Sequence, residues 1–149
     1  MDIKLVDYTT AYKEELNTWQ DIEHANGEFG INSFITIQDS KLGDYIEFFS
    51  DEIDLKTKIA LVGDSMIGFV CYIINDDRSV HIELLATNPL HRGKGYSKLI
   101  LNKLKEELPD SPKITLAINK RNKKALDVFT QFTKPNNEHS SLYYIGLEF

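Results

Sequence analysis

Between Leu85 and Ser97 the chain reads Leu-Ala-Thr-Asn-Pro-Leu-His-Arg-Gly-Lys-Gly-Tyr-Ser: the end of an apolar strand, a short loop with two glycines, then the start of a helical pattern. Glycine lets a backbone curl and approach a ligand closely. A helix starting after Gly95 would aim the amides of Gly93, Lys94, Gly95, Tyr96 and Ser97 at one spot, because a helix leaves its first-turn donors without internal partners. Arg92 and Lys94 add full charges to the positive end of the helix dipole. The chemistry on offer is anion binding, above all of phosphate. Spacing excludes two other phosphate loops. A P-loop needs Ser or Thr after Gly-Lys, and here Gly93-Lys94 is followed by Gly95. The dinucleotide fingerprint needs a third glycine where Lys98 stands.

The elements that position this loop follow from periodicity. Ile3 to Val6 reads as a first strand. Thr9 or Thr10 is placed to cap a helix running to about His24, with Tyr12, Leu16, Trp19 and Ile22 at helical spacing, and Asn26-Gly27 ends it. Asp39-Ser40 precedes a second helix with Leu42, Tyr45, Ile46 and Phe49 on its apolar face. Lys58 to Val62 and Met66 to Ile74 flank the turn Gly63-Asp64-Ser65, and Val80 to Thr87 completes an antiparallel meander. Tyr96, Leu99, Ile100, Leu104 and Leu108 mark a helix stopped by Pro109 and Pro112. Ile114 to Ile118 reads as a buried strand, Asn122 to about Phe132 as a helix and Leu142 to Phe149 as a closing strand. The sum predicts an α/β (α+β) fold whose central sheet is mixed but mostly antiparallel, flanked by about four helices.

Composition agrees with one such domain over residues 1–149: 42% hydrophobic, 27% charged, no repeat and no Pro/Gly-rich linker. No apolar run approaches a membrane span, and Met1-Asp2-Ile3-Lys4-Leu5 lacks the basic and apolar regions of a secretory signal. One cysteine, Cys71, fits a reducing, cytoplasmic setting and excludes a cysteine-based metal site. The net charge of −6 argues mildly against a general nucleic-acid binder, yet it hides a division. Residues 91–134 hold 11 Lys+Arg against 4 Asp+Glu, a local +7, and the remainder carries −13. Such asymmetry suggests that one part meets an anionic ligand. Lysines on solvated helix faces would give the same count.

Arg92-x-x-Gly95-x-Ser97 resembles the pyrophosphate loop of the GNAT superfamily of acetyl-CoA-dependent N-acetyltransferases, Gln/Arg-x-x-Gly-x-Gly/Ala. Asn122-x-x-Ala125-x-x-x-Phe129 is similar to that family's Asn-x-x-Ala-x-x-x-Tyr, and the element order matches over essentially the whole chain. The resemblance implies that acetyl-CoA binds along Leu85, Ala86 and Thr87, on the loop from Arg92 through Gly93, Lys94, Gly95, Tyr96 and Ser97, and at Asn122 and Phe129. It implies that the strand before the loop splays from its neighbour, freeing amides for the pantetheine and the acetyl carbonyl. Two departures stand out. Ser97 replaces Gly or Ala and is still small. Phe129 replaces the tyrosine that often protonates the departing coenzyme A thiolate, and it has no proton to give.

The implied activity is transfer of an acetyl group to a primary amine of a small molecule, peptide N-terminus or lysine, by direct attack in a ternary complex. The partners are acetyl-CoA and an amine acceptor of cationic character, with no metal, nucleic acid or membrane. Dimers are frequent in that family, which leaves room for a homodimer. An alkylamine is protonated at neutral pH, so a base must take its proton. Strand alternation sets His81, Glu83, Leu85 and Thr87 on one face. Glu83 is the favoured base because a carboxylate also attracts an ammonium, with a rim position or an ion pair to lysine as the rival reading. His81 reads first as a hydrogen-bonded structural residue. For the acid, Tyr144 is the better polar candidate, since Tyr143 shares its face with Ile145, Leu147 and Phe149.

Trp19, Phe34, Tyr45, Phe48 and Phe49 could line an acceptor pocket, though Trp19 and Phe49 read as core. Asp51, Glu52 and Asp54 end a helix where the dipole disfavours them, which suits either a cationic acceptor or a solvated loop. Two other functions compete with catalysis. A non-catalytic acyl-CoA binding or sensing module on the same fold would account for Phe129, and the basic run from Lys120 to Lys124 would serve a nucleic-acid binder.

Overall fold

Alternating and apolar runs along the middle of the chain build the frame. In a computed structural model, which describes residues 2–25, 41–91, 93–119, 126–127, 129, 134–136 and 144–148, seven strands form one sheet. They are β1 (Lys4–Asp7), β2 (Lys56–Val62), β3 (Ser65–Ile74), β4 (Val80–Thr87), β5 (Ile114–Asn119), β6 (Lys134–Asn136) and β7 (Tyr144–Glu148), in the order β1-β2-β3-β4-β5-β7-β6. Only β4 and β5 run parallel; the other neighbours are antiparallel. The helices are α1 (Lys13–Ala25), α2 (Leu42–Glu52) and α3 (Tyr96–Glu107). Of the helix expected over 122–132, residues 126, 127 and 129 are described and are helical. The α/β class and the mixed, mostly antiparallel sheet therefore stand as expected.

The sheet has a core on each face. Under α3, Tyr96, Ile100, Leu101 and Leu104 pack with Val70, Tyr72, Val80, Ile82 and Phe129. Under α1 and α2, Leu16, Trp19, Leu42 and Ile46 pack with Ile59, Phe69, Leu84 and Ala86. Ile100, Leu101 and Leu104 are completely buried, and each such side chain contributes about 1.5–3 kcal/mol by leaving water. Gly68 of β3 lets α3 come this close. A Cβ there would lie 2.5 Å from Ile100 Cδ1 and 2.7 Å from the Ala86 carbonyl oxygen.

The helix starts differ from expectation. A 3-10 turn over Thr10–Tyr12 precedes α1, and Thr9 makes no side-chain cap bond. The Thr10 hydroxyl points instead to Glu47 Oε2, 3.5 Å away. At the start of α2, Asp39-Ser40 lies outside the described residues, and Lys41 holds the cap position without a side-chain bond. Side chains of α1 do the capping: Leu42 N–H donates to Gln20 Oε1 (2.9 Å) and Gly43 N–H to Asn17 Oδ1 (2.8 Å). Donors that α2 cannot satisfy internally thus fix how the two helices cross.

Candidate active site

The site begins where two parallel strands part. The β4–β5 ladder comprises Val80↔Ile114, His81↔Thr115 and Ile82↔Leu116, and ends there. Strand β4 continues to Thr87 against β3, while β5 continues to Asn119 against β7. The result is a fork that opens toward the C-terminal end of β4. Asn88 N–H donates to the Ile67 carbonyl at 2.8 Å. Backbone groups of an antiparallel strand alternate in direction, so Ala86 turns its amide to β3 while Leu85 and Thr87 turn theirs into the fork. Of the three backbone positions expected at the site, Leu85 and Thr87 have amides directed into the fork, and Ala86 buries its side chain against α1 and α2.

A bulge corrects the expected placement of side chains. Cys71 pairs with Leu84 and Tyr72 with Ile82, so Glu83 has no pairing partner on β3. One extra residue in a strand reverses the alternation beyond it. Ile82 packs with the α3-side core, whereas Leu84 and Ala86 pack with the α1/α2 side. Leu85 now leans on the α3-side core. His81, Glu83, Leu85 and Thr87 therefore do not share one face. His81 and Glu83 stay together, with Nε2 4.0 Å from Oε1, and the charge of Glu83 acts on Tyr45 of α2 and on Cys71 of β3.

Beyond β4, Asn88 anchors the loop. It is buried, donates through Nδ2 to the Met66 carbonyl (3.1 Å) and accepts from Leu90 N–H (3.0 Å). Gly93 and Gly95 lie at φ +82° and +75°, a region side chains rarely adopt, and a Cβ on either would meet nothing within 4 Å. Gly95 is the N-cap residue of α3, and the first internal bond of that helix runs from Leu99 N–H to the Gly95 carbonyl at 3.3 Å. The first-turn amides therefore point along the axis out of the helix end, next to exposed Lys94. No acidic side chain sits in that first turn. Ser97 is partly exposed there, and Tyr96 packs inward.

Other expected residues are placed in part or not at all. Phe129 is buried against the α3-side core, at 5% exposure. Arg92, Asn122, Phe34, Tyr143 and the run Lys120 to Lys124 lie outside the described residues; Tyr144 is placed on β7 by its backbone alone. Trp19 is core, as expected, at 6.2 Å from the Phe69 ring centre. Tyr45 and Phe49 are partly buried, their ring centres 4.7 Å apart with the planes tilted by 53°, while Phe48 is 58% exposed.

The electrostatics around the fork are specific. The Cys71 thiol accepts from Thr57 Oγ1 at 3.3 Å, and burial pushes its pKa up to about 12, so it is inert. Burial also raises the Tyr45 phenol, with the charge of Glu83 adding to the effect. His81 Nδ1 lies 2.8 Å from Thr115 Oγ1, itself buried at 6% exposure. Sequence reasoning missed a separate network. Lys13 Nζ reaches Asp44 (2.7 Å) and Glu47 (2.9 Å), and the Tyr8 hydroxyl donates to Glu47 (2.9 Å). It holds α1, α2 and the end of β1 together. Beside it lies a cleft of about 610 Å³ lined by residues including Asp7, Asp51, Asp54 and Lys58. That cleft sits at the opposite end of the sheet from Thr87↔Gly68 and the glycine loop, and shares no residue with the fork. Asp51 and Asp54 line it, which removes them from the fork. Among the described residues, no group of three or more His, Cys, Asp or Glu is placed to hold a metal, and no helix is long and apolar enough to cross a membrane.

Known proteins share this fold. An acetyltransferase from Thermus thermophilus matches with TM-score 0.77 at 12% identity, covering 100% of this chain and 97% of that one. The Campylobacter jejuni N-acetyltransferase PseH, solved with acetyl coenzyme A, matches with TM-score 0.69 at 15% identity, covering 99% and 98%. The Vibrio cholerae spermidine N-acetyltransferase, solved with CoA and spermine, gives 0.72 at 15%, covering 98% and 92%. At these identities the likeness is one of fold. No curated protein matches the sequence. The model of the acetyltransferase (GNAT) family matches residues 13–133, a span that takes in the bulged strand, the fork and the glycine loop. The chain belongs to the GNAT acetyltransferase family.

Proposed function

We propose that residues 1–149 form one N-acetyltransferase domain that uses acetyl-CoA to acetylate a primary amine by direct attack in a ternary complex. The observation that carries the reading is the fork, which ends at a glycine loop and the positive end of α3. The residues fit the cofactor. The open space over Gly93 and Gly95, the outward first-turn amides and Lys94 suit a pyrophosphate, and the family's motifs add Arg92, Ser97, Asn122 and Phe129 as cofactor residues. Acetyl-CoA supplies an activated acyl group on a thioester. Leu85 and Thr87 offer amides where the carbonyl oxygen gains negative charge, and such fixed donors stabilise a transition state strongly.

Glu83 takes the proton of the amine as the new C–N bond forms and the C–S bond breaks. Tyr144 returns a proton to the departing thiolate, since Phe129 carries none. The acceptor is a small-molecule amine, a peptide N-terminus or a lysine. The −13 carried outside residues 91–134 favours a cationic one, and the spermine bound to the Vibrio cholerae enzyme puts polyamines on the panel worth testing. We place the protein in the cytoplasm because its one thiol, Cys71, is free and buried.

The test is a panel of amines and peptides with acetyl-CoA and longer acyl-CoAs, read by thiol release. Glu83→Gln should reduce turnover about 100-fold or more, and Tyr144→Phe should lower it as well. Unchanged turnover in both variants removes the two assignments. A second reading, an acyl-CoA binding module without turnover, is favoured by the buried Phe129 and predicts coenzyme A affinity with no thiol release on any amine.

A further inference from the structure

The bulge that moves Glu83 out of the β3 pairing also sets it beside His81, and His81 lies on the last rung but one before the fork opens. Three polar groups stand in a row there: Thr115 Oγ1 on β5, His81 on β4 at 2.8 Å through Nδ1, and Glu83 at 4.0 Å from Nε2. We propose that Thr115 and His81 are positioning residues for Glu83, forming a directed chain that aims its carboxylate at the fork. The proposal rests on the acetyl-transfer reading above.

Donor and acceptor chemistry fixes the direction of the chain. At 4.0 Å the Nε2–Oε1 contact is electrostatic, beyond hydrogen-bond reach, and an N–H edge facing a carboxylate is favoured over a bare nitrogen, so the proposed chain puts the hydrogen on Nε2. A neutral imidazole with its hydrogen on Nε2 has a bare Nδ1, which must accept. A hydroxyl both donates and accepts, so Thr115 Oγ1–H donates to Nδ1. The Thr115 side chain is buried on a strand paired on both sides, to β4 and β7, and cannot wander. The stiffest member therefore sets the ring, and the ring sets the carboxylate. Glu83 needs such support. It sits in a bulge without a strand partner, and its side chain is one-third exposed. Its other titratable neighbours among the described residues are Tyr45 from α2 and Cys71 from β3. Burial raises the pKa of both.

The chain predicts distinct behaviour for paired variants. Thr115→Val removes the hydroxyl at constant shape and should lower kcat about tenfold while leaving KM for acetyl-CoA unchanged, as for other residues that orient a reacting group. Thr115→Ser keeps the donor and should restore kcat. His81→Leu should match Thr115→Val or exceed it, and His81→Gln, which can offer an N–H near the Nε2 position, should recover part of the loss. Nitrogen-15 NMR of histidine-labelled protein reads the ring directly and needs no substrate. His81 should carry its hydrogen on Nε2 at neutral pH and lose that preference in Thr115→Val, and its titration midpoint should fall in Glu83→Gln, because a nearby anion favours the charged ring.

A hydrogen on Nδ1 in the wild type, or a His81 midpoint unmoved by Glu83→Gln, overturns the chain whatever the turnover. An Nε2–H ring lost in Thr115→Val with kcat unchanged overturns its positioning role. An intact Nε2–H ring in a wild type that acetylates no amine overturns the acetyl-transfer reading instead.

Discussion

Replacing Gly95 separates the two duties given to the glycine loop, conformational and electrostatic. Gly95 lies at φ +75°, and a Cβ there meets nothing within 4 Å. Gly95→Ala therefore adds no clash and costs only the left-handed conformation, about 1–2 kcal/mol. That corresponds to a fall in Tm of about 2–8 °C for a domain of this size. Gly95→Glu carries the same strain and adds a negative charge at the positive end of α3. A carboxylate some 6 Å from one phosphate charge, at an effective dielectric near 20, is repelled by about 2–3 kcal/mol. The matching loss in affinity is about 30- to 150-fold. Titration calorimetry of coenzyme A against both variants should therefore show Gly95→Glu binding far more weakly than Gly95→Ala at equal Tm. Raising the salt should shrink the gap by screening. Equal affinities at equal stability would refute the placing of phosphates at this loop.

Gly68→Ala should destabilise the fold by about 1–3 kcal/mol, through overpacking against the Ala86 carbonyl and Ile100. A Tm equal to that of the wild type would mean that α3 does not dock as closely as described. Acid should weaken the fold through Glu47, whose pKa is lowered first by its hydrogen bond to Lys13 and then by that to Tyr8. A carboxyl held below its unfolded value of 4.5 stabilises the native state above that value, and the gain is lost as pH falls through the lower folded value. Asp7, lowered by Lys58, adds to the same slope. Urea midpoints taken from about pH 6 to about pH 3 should fall, and Lys13→Met should flatten part of the decline; an unchanged slope in Lys13→Met would remove Glu47 from the account.

The parts of the site that local chemistry specifies could be read from residues alone. Two glycines in a short loop between an apolar strand and a helical period marked a tight turn at a helix start, and both sit at positive φ. The meander was legible because Gly63-Asp64 and Asp76-Asp77 interrupt apolar runs of strand length. What escaped depends on partners distant in sequence. The bulge at Glu83 exists because β3 pairs on either side of it, and strict alternation from His81 to Thr87 gave the wrong face for Leu85 and Thr87. The capping of α2 by Asn17 and Gln20 is likewise long-range, as is the tie between Glu47, Lys13 and Tyr8. Strand β6, three residues including Pro135, is too short to leave a periodic mark.

The central claim is transfer of an acetyl group to nitrogen. Its most direct test follows an isotope-labelled acetyl group of acetyl-CoA by mass spectrometry, with polyamines, peptides and lysine as acceptors. The account predicts label in an amide of one acceptor class, one equivalent of free coenzyme A per amide formed, and loss of both in Gly95→Glu at acetyl-CoA concentrations that saturate the wild type. Label that never leaves acetyl-CoA in the presence of any amine, while the protein binds the cofactor, would contradict it.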